Sequence, residues 1–360
     1  MPVWINDPAA LQAHLENPPA WVGLDTEFVR ERTYWPQLAL VQMAIGDEIL
    51  LIDTLAPGIN EALRPLLSNP AVLKVMHSAS EDLVALSHEC GVLPAPLFDT
   101  QIAAALCGVG GGLGYQKLVQ AITGVALAKG ETRSDWLRRP LSDSQLEYAA
   151  DDVVYLGAIH RELEARLQAQ DRIGWLAQDC ARLLANAADE GERWPHLSMR
   201  SSQIMDAPSQ ARLLRLLRWR DVQARGSDKP RSWILDNELA AMLARVPPAD
   251  RSALQAQLDT HPKAPRKLGD AIWQALTTPL DDEQDMPLAR NASNEDKATL
   301  KRLQEAVTAR STELGLPEGI LASRRYLEQL QENGTWPTAL AGWRHEVLEP
   351  RLAPLLPTAR

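Results

Sequence analysis

The chain has 360 residues, 45% hydrophobic and 5% aromatic, with 37 Lys and Arg against 47 Asp and Glu for a net charge of −10. That length allows two or three domains; no apolar run nears the roughly 20 residues that span a bilayer, and the opening Met-Pro-Val-Trp-Ile-Asn-Asp carries no basic residue, so neither a membrane partner nor a signal peptide is expected. Cys90, Cys107 and Cys180 lack metal-ligand spacing and read as buried thiols of a reducing cytoplasm.

The charge is unevenly spread. Residues 1–160 hold 9 Lys and Arg against 19 Asp and Glu, and residues 211–278 hold 12 against 7. An acidic N-terminal part followed by a basic module suggests a metal-binding catalytic unit with a separate electrostatic anchor.

In chain order, Trp21–Val29 is an apolar, β-branched and aromatic run that reads as a core strand. Successive strand side chains alternate faces, so Asp25 and Glu27 point the same way, about 6–7 Å apart. Such a pair either faces water at a strand end or is held together by a divalent cation that removes its repulsion. Residues 38–56 predict two strands around a Gly46-Asp47 turn, and 59–68 a helix. Val72–Met76 is a short strand ending at His77. Ser78 or Ser80 then caps a helix with Glu81 and Asp82 in its first turn, where the dipole favours negative charge. Leu97–Thr100 is a last short strand with Asp99 as a helix cap. Strands alternating with helices give an α/β sandwich, and the leading meander makes its sheet mixed.

Gly108–Gly114 lacks the Gly-Lys-Ser/Thr ending of a phosphate loop and reads as a flexible connection into a helix over 115–123. Lys129, Arg133, Arg138 and Arg139 form the one basic run of this acidic part, either a solvated loop or a phosphate contact. Ser144 with Glu147 forms a capping signature; beyond it Tyr148 and Asp152 are four apart and share a helical face, while Asp151 points about 100° away. Residues 155–190 read as helical, with a linker over 194–208. Helices are expected over 211–226, 236–246, 249–259 and 266–277, then an acidic linker over 281–294 and a second helical set to 358.

Leu24-Asp25-Thr26-Glu27-Phe28, His77-Ser-Ala-Ser-Glu81-Asp82-Leu83 and Tyr148-Ala-Ala-Asp151-Asp152-Val153 resemble the three exonuclease motifs of the DEDD superfamily, and the tyrosine four residues before the last acid marks its DEDDy branch. Phe28–Leu38, Asp99-Thr100-Gln101, Ser134-Asp-Trp136 and Arg139-Pro-Leu141 bring the resemblance to the ribonuclease D family, and the helices beginning Leu216-Leu-Arg-Trp219-Arg220 resemble its HRDC domain. The resemblance implies an α/β ribonuclease H-like (DEDD exonuclease) domain with mixed sheet over 1–175, a helical linker over 176–207, an HRDC domain over 208–280, an acidic linker over 281–294 and a second, divergent HRDC-like domain over 295–360.

The same resemblance implies two-metal hydrolysis with Mg²⁺ or Mn²⁺. Asp25 would bridge both ions, Glu27 and Asp152 would complete the site that binds the attacking water, Asp82 would serve the other ion, and Tyr148 would orient the water. Thr26, Phe28, His77, Lys129 and Arg133 are expected at the substrate, and Arg215, Arg218 and Arg220 as an RNA anchor. The implied activity is stepwise release of 5′-mononucleotides from RNA 3′ ends, with tRNA precursors as substrate, by a cytoplasmic monomer. A DNA exonuclease of the proofreading or Werner type is disfavoured because no polymerase or helicase segment is recognised. A catalytically silent RNA-binding scaffold is disfavoured by the intact acids and Tyr148.

Overall fold

The computed structural model describes residues 2–128, 130–131, 134–188 and 191–356. The chain divides into two compact units, one formed by Met1–Val29, Pro36–Ala188 and Asn294–Arg360, the other by Arg30–Trp35 and Asp189–Ser293.

The first unit is built on a six-stranded sheet of β1 (Val3–Ile5), β2 (Trp21–Val29), β3 (Gln37–Ile45), β4 (Glu48–Ile52), β5 (Leu73–Met76) and β6 (Leu97–Asp99), in the order β1-β4-β3-β2-β5-β6. The β2–β3–β4 meander is antiparallel, and β1, β5 and β6 each join in parallel. The expected mixed sheet is therefore present, with β1 as a strand too short for its pattern to register in the sequence. β3 is buried along most of its length and every β2 residue is buried or half-buried, which is why both carry few polar residues and why Asp25, Glu27 and Gln42 stand out. The register slips between Glu27 and Phe28, which pair with Leu40 and Leu38, so β3 carries one extra residue, Ala39, just beyond the second acid of β2.

Helices α1 (Pro8–Leu15), α2 (Ile59–Leu67), α3 (Ser80–Cys90), α4 (Thr100–Leu106), α5 (Tyr115–Thr123), α6 (Asp143–Val154), α7 (Leu156–Ala169) and α8 (Ile173–Ala188) complete this part of the first unit. Asp99 is the N-cap of α4, accepting from the backbone N–H groups of Gln101 and Ile102, and it also accepts from Ala79, which fixes the start of α3. Neither Ser78 nor Ser80 caps α3; Ala79 occupies the cap and makes no side-chain bond. The cap of α6 is Ser142 with Gln145 in a capping box, two residues before the expected Ser144 and Glu147. Ser142 has the extended backbone of an N-cap, and its hydroxyl accepts from the Gln145 N–H.

The second unit contains α9 (Ala207–Ser227), α10 (Arg231–Ile234), α11 (Asn237–Arg245), α12 (Arg251–Thr260) and α13 (Gly269–Thr277), around a core of Leu213, Leu216, Leu217, Leu239, Leu243, Leu254, Leu258 and Ile272. The Arg30–Trp35 segment is part of it: the N–H groups of Tyr34 and Trp35 both donate to Asp228 at 3.0 Å, and Arg231 donates to the Tyr34 hydroxyl at 2.7 Å.

Residues 294–360 differ from the sequence expectation of a domain of their own. Helices α14 (Asn294–Leu314), α15 (Arg324–Asn333) and α16 (Trp343–Leu352) share the first unit's apolar core through Leu303, Leu327, Leu330, Trp343 and Leu348. Trp343 stacks on Trp175 of α8 at 4.3 Å, and Arg344 makes a two-pronged ion pair with Asp179 of α8, one contact at 2.8 Å. The apolar stripe of α14–α16 is too weakly periodic to announce this docking, because it is completed by α8 rather than by the helices themselves. Among the described residues no helix is long and apolar enough to cross a membrane.

Candidate active site

Three elements bring the acids together. β2 supplies Asp25 and Glu27 from one face, α3 supplies Asp82 from its first turn, and α6 supplies Tyr148 and Asp152 one helical turn apart. Asp25 feels Asp82, Asp152 and Glu27, and Glu27 feels Asp152 and Asp82, so the four carboxylates form one electrostatic group.

Burial and this mutual repulsion push every one of them upward. Desolvation is the largest cause throughout: Asp25 is raised well above its ordinary value, Glu27 to about 8, Asp152 to about 7 and Asp82 to about 6. Two hydroxyls partly compensate. The Thr26 hydroxyl donates to Asp82, and the Tyr148 hydroxyl to Asp152. The Tyr148 phenol is itself raised, by burial and then by Asp152 and Glu27, so it stays protonated. Among the described residues no three His, Cys, Asp or Glu side chains stand close enough to form a finished ligand cage. An all-carboxylate donor set, raised in pKa by its own crowding, fits a hard divalent cation such as Mg²⁺ or Mn²⁺.

A cleft of about 210 Å³ opens beside this group, lined by Gln116, Glu147, Tyr148, Asp151 and Asp152 among others. A larger one of about 540 Å³ belongs to the second unit and is lined by Arg193, Arg218, Arg220 and Arg231. Chemistry, not size, makes the smaller cleft the candidate active site.

The other expected site residues separate. Thr26 is buried and its hydroxyl is engaged by Asp82, so it positions an acid where a nucleotide contact was expected. Phe28 packs partly buried against the main core. His77 bonds Thr100 through Nδ1 at 2.9 Å and packs its ring on Tyr115, 5.6 Å between centroids. Lys129 and Arg133 lie outside the described residues. Arg215 is forked onto Glu283, with Nε at 2.6 Å, and Arg218 is paired with Asp282 at 2.7 Å, whose carboxyl the bonds from Arg218 and Arg193 hold down at about 2. Arg220 reaches the Leu235 carbonyl and Asn237, and its Nε has no partner. The first two arginines thus stitch the helical unit internally; the acids that neutralise them sit in the linker over 281–294, too far along the sequence for helix spacing to reveal.

Tyr115 is a residue that the sequence reading missed. It opens α5, accepts a 3.3 Å hydrogen bond from the Tyr155 N–H at the α6–α7 break, and is raised by burial and by the nearby Asp152 and Asp25. A lone tyrosine after a glycine-rich loop carries no motif, so no sequence signal pointed to it.

Acids clustered on a mixed sheet, faced by a tyrosine-bearing helix, define a nuclease of the 3′–5′ exonuclease class. The family described as 3'-5' exonuclease matches residues 2–168, and the HRDC domain family matches residues 209–276. The chain is 65% identical over 358 residues to ribonuclease D of Xanthomonas oryzae pv. oryzae, covering 99% of each chain. It is 36% identical over 357 residues to ribonuclease D of Pseudomonas paraeruginosa, covering 95% of this chain and 94% of that one. Among solved structures it is similar to Escherichia coli RNase D, described as an exoribonuclease involved in structured RNA processing, with a TM-score of 0.83, 29% identity and coverage of 99% and 98%. The chain belongs to the ribonuclease D family. It is a 3′–5′ exoribonuclease, a hydrolase that acts on RNA and depends on divalent metal.

Proposed function

We propose that this exoribonuclease trims 3′ extensions of structured RNA, tRNA precursors first among them, as a cytoplasmic monomer, releasing 5′-mononucleotides. The observation that carries the reading is the convergence of Asp25, Glu27, Asp82 and Asp152 with Tyr148 beside an open cleft. Asp25 would hold both of two ions, Glu27 and Asp152 the ion on the water side, and Asp82 the other. A bound pair of Mg²⁺ or Mn²⁺ supplies charge neutralisation at the attacking and leaving oxygens of the phosphodiester.

The residues' own contributions follow from their protonation. Glu27 and Asp152, with pKa values near 8 and 7, hold protons for much of the time at neutral pH and must release them to act as ligands, so metal affinity rises with pH. Tyr148 keeps its phenolic proton and is therefore an orienting group, not a general base. Thr26 holds Asp82 against the repulsion of the others. Of the three arginines expected as an RNA anchor, Arg215 and Arg218 already have carboxylate partners, which leaves Arg220, bonded to the Leu235 carbonyl and Asn237, as the remaining candidate.

Incubation with a 3′-extended tRNA, a matched single-stranded DNA and a duplex, each with Mg²⁺ or chelator, tests the reading. A ladder of shortened tRNA with mononucleotide product, seen only with metal, is expected. Equal degradation of the DNA strand would favour the proofreading-type alternative.

A further inference from the structure

Gln42 lies in the middle of β3, fully buried, and neither its Nε2 nor its Oε1 has a hydrogen-bond partner in the protein. A carboxamide taken out of water without partners is a net cost to the fold, and a Met or Leu of similar volume would avoid it. Its place in the sheet suggests what it is for. The β2–β3 register sets Gln42 directly opposite Asp25, and Leu40 opposite Glu27. Directly opposed residues of an antiparallel pair project to the same face, with Cβ atoms about 4.5–5.5 Å apart. That face is the one covered by α6, because Leu40 packs in one cluster with Ala149 and Tyr148.

Two of the other three acids have a side-chain donor: Asp82 has Thr26 and Asp152 has Tyr148. Across the strand pair from Asp25 stands the Gln42 carboxamide. We infer that Gln42 is a positioning residue for Asp25, its Nε2–H₂ group held ready for one carboxylate oxygen so that the other is aimed at a divalent cation. The inference rests on the reading of Asp25 as a metal ligand. Groups that hydrogen-bond a ligating side chain fix its orientation, and their loss typically costs 10–100-fold in metal affinity or activity.

The test is Gln42→Met in the full chain, with thermal unfolding followed across a Mn²⁺ titration beside steady-state kinetics on 3′-extended RNA. We expect an equal or higher metal-free unfolding temperature, since a buried polar group is gone. The Mn²⁺ concentration for half-maximal stabilisation should rise about tenfold or more, and kcat should fall with KM for RNA unchanged. A wild-type Mn²⁺ midpoint with wild-type kcat would overturn the inference and leave Gln42 a tolerated core residue. If the variant does not fold, NMR of the wild-type chain with ¹⁵N-labelled glutamine decides. The Gln42 side-chain amide signals should move on adding Mg²⁺, and signals that stay put contradict the inference. Should Asp25 bind no metal at all, Asp25→Asn keeps the wild-type Mn²⁺ midpoint, which separates that failure from this one.

Discussion

The Thr26 hydroxyl donates its proton to the Asp82 carboxylate, linking the strand that carries two of the acids to the helix that carries a third. Thr26 lies between Asp25 and Glu27, so its side chain leaves β2 on the opposite face and meets α3 there. Asp82, raised to about 6 with burial as the largest cause, would be raised further without this donor. Thr26→Val keeps the shape and removes the hydroxyl. It should lower kcat about tenfold and shift the pH-activity profile upward, with RNA binding little changed. An unchanged pH profile would show that Asp82 needs no such support.

Tyr148 gives a second, separable prediction. Its phenol is held protonated beside Asp152, so its contribution is orientation of water through the hydroxyl. Tyr148→Phe should lower kcat on the order of 10²-fold with KM nearly constant. A comparable rise in KM would instead make the tyrosine a substrate contact.

The acid cluster also predicts how metal-free stability depends on pH. Asp25, Glu27, Asp82 and Asp152 all have folded pKa values above the unfolded values of about 4, so between about pH 4 and 8 the folded chain holds more protons than the unfolded one. Stability from these groups therefore falls as pH rises toward the folded value near 8 of Glu27. Burial lowers His77, His160 and His196, which makes stability rise with pH below about 6.5, and Lys74, lowered to about 8, does the same above that value. The window from about pH 6.5 to 8 isolates the carboxylates. Calorimetry in chelator should give a lower unfolding temperature at the upper end, and saturating Mg²⁺ should shrink or reverse the difference. A metal-free unfolding temperature that climbs across the window contradicts the cluster.

A fourth prediction concerns the Asp179–Arg344 pair, 3% and 7% exposed, which also receives the Trp343 indole N–H at 3.1 Å. Removing the charge of one partner strands the other in the core. Asp179→Ala should therefore destabilise the first unit by roughly 3–5 kcal/mol. For the same reason a chain truncated at residue 293 should lose cooperative folding of the catalytic unit, because α14–α16 complete its core. A truncated chain with wild-type unfolding temperature and activity would refute this.

Asp25 with Glu27, and Tyr148 with Asp152, were legible in the sequence because their spacings match the periods of strand and helix, and each pair's geometry follows from backbone alone. Asp82 was reached by family likeness. The roles of Thr26, Gln42 and Tyr115 depend on which residue lies across a strand pair or a helix contact, and no local spacing encodes that. The docking of residues 294–360 was hidden for a related reason, since its anchor residues Trp175 and Asp179 lie more than a hundred positions earlier. Arg215 and Arg218 looked available in sequence because their partners Glu283 and Asp282 belong to a segment read as linker.

The most direct test of the account is Asp25→Asn, assayed on 5′-labelled 3′-extended RNA with saturating Mg²⁺ and, separately, melted in chelator. Asp25 is the acid with the most carboxylate neighbours and is raised well above its ordinary value, so neutralising it should relieve strain while removing a ligand. The account predicts no detectable ladder and an unfolding temperature in chelator equal to or above that of the wild-type chain. Full exonuclease activity in the folded variant would contradict it.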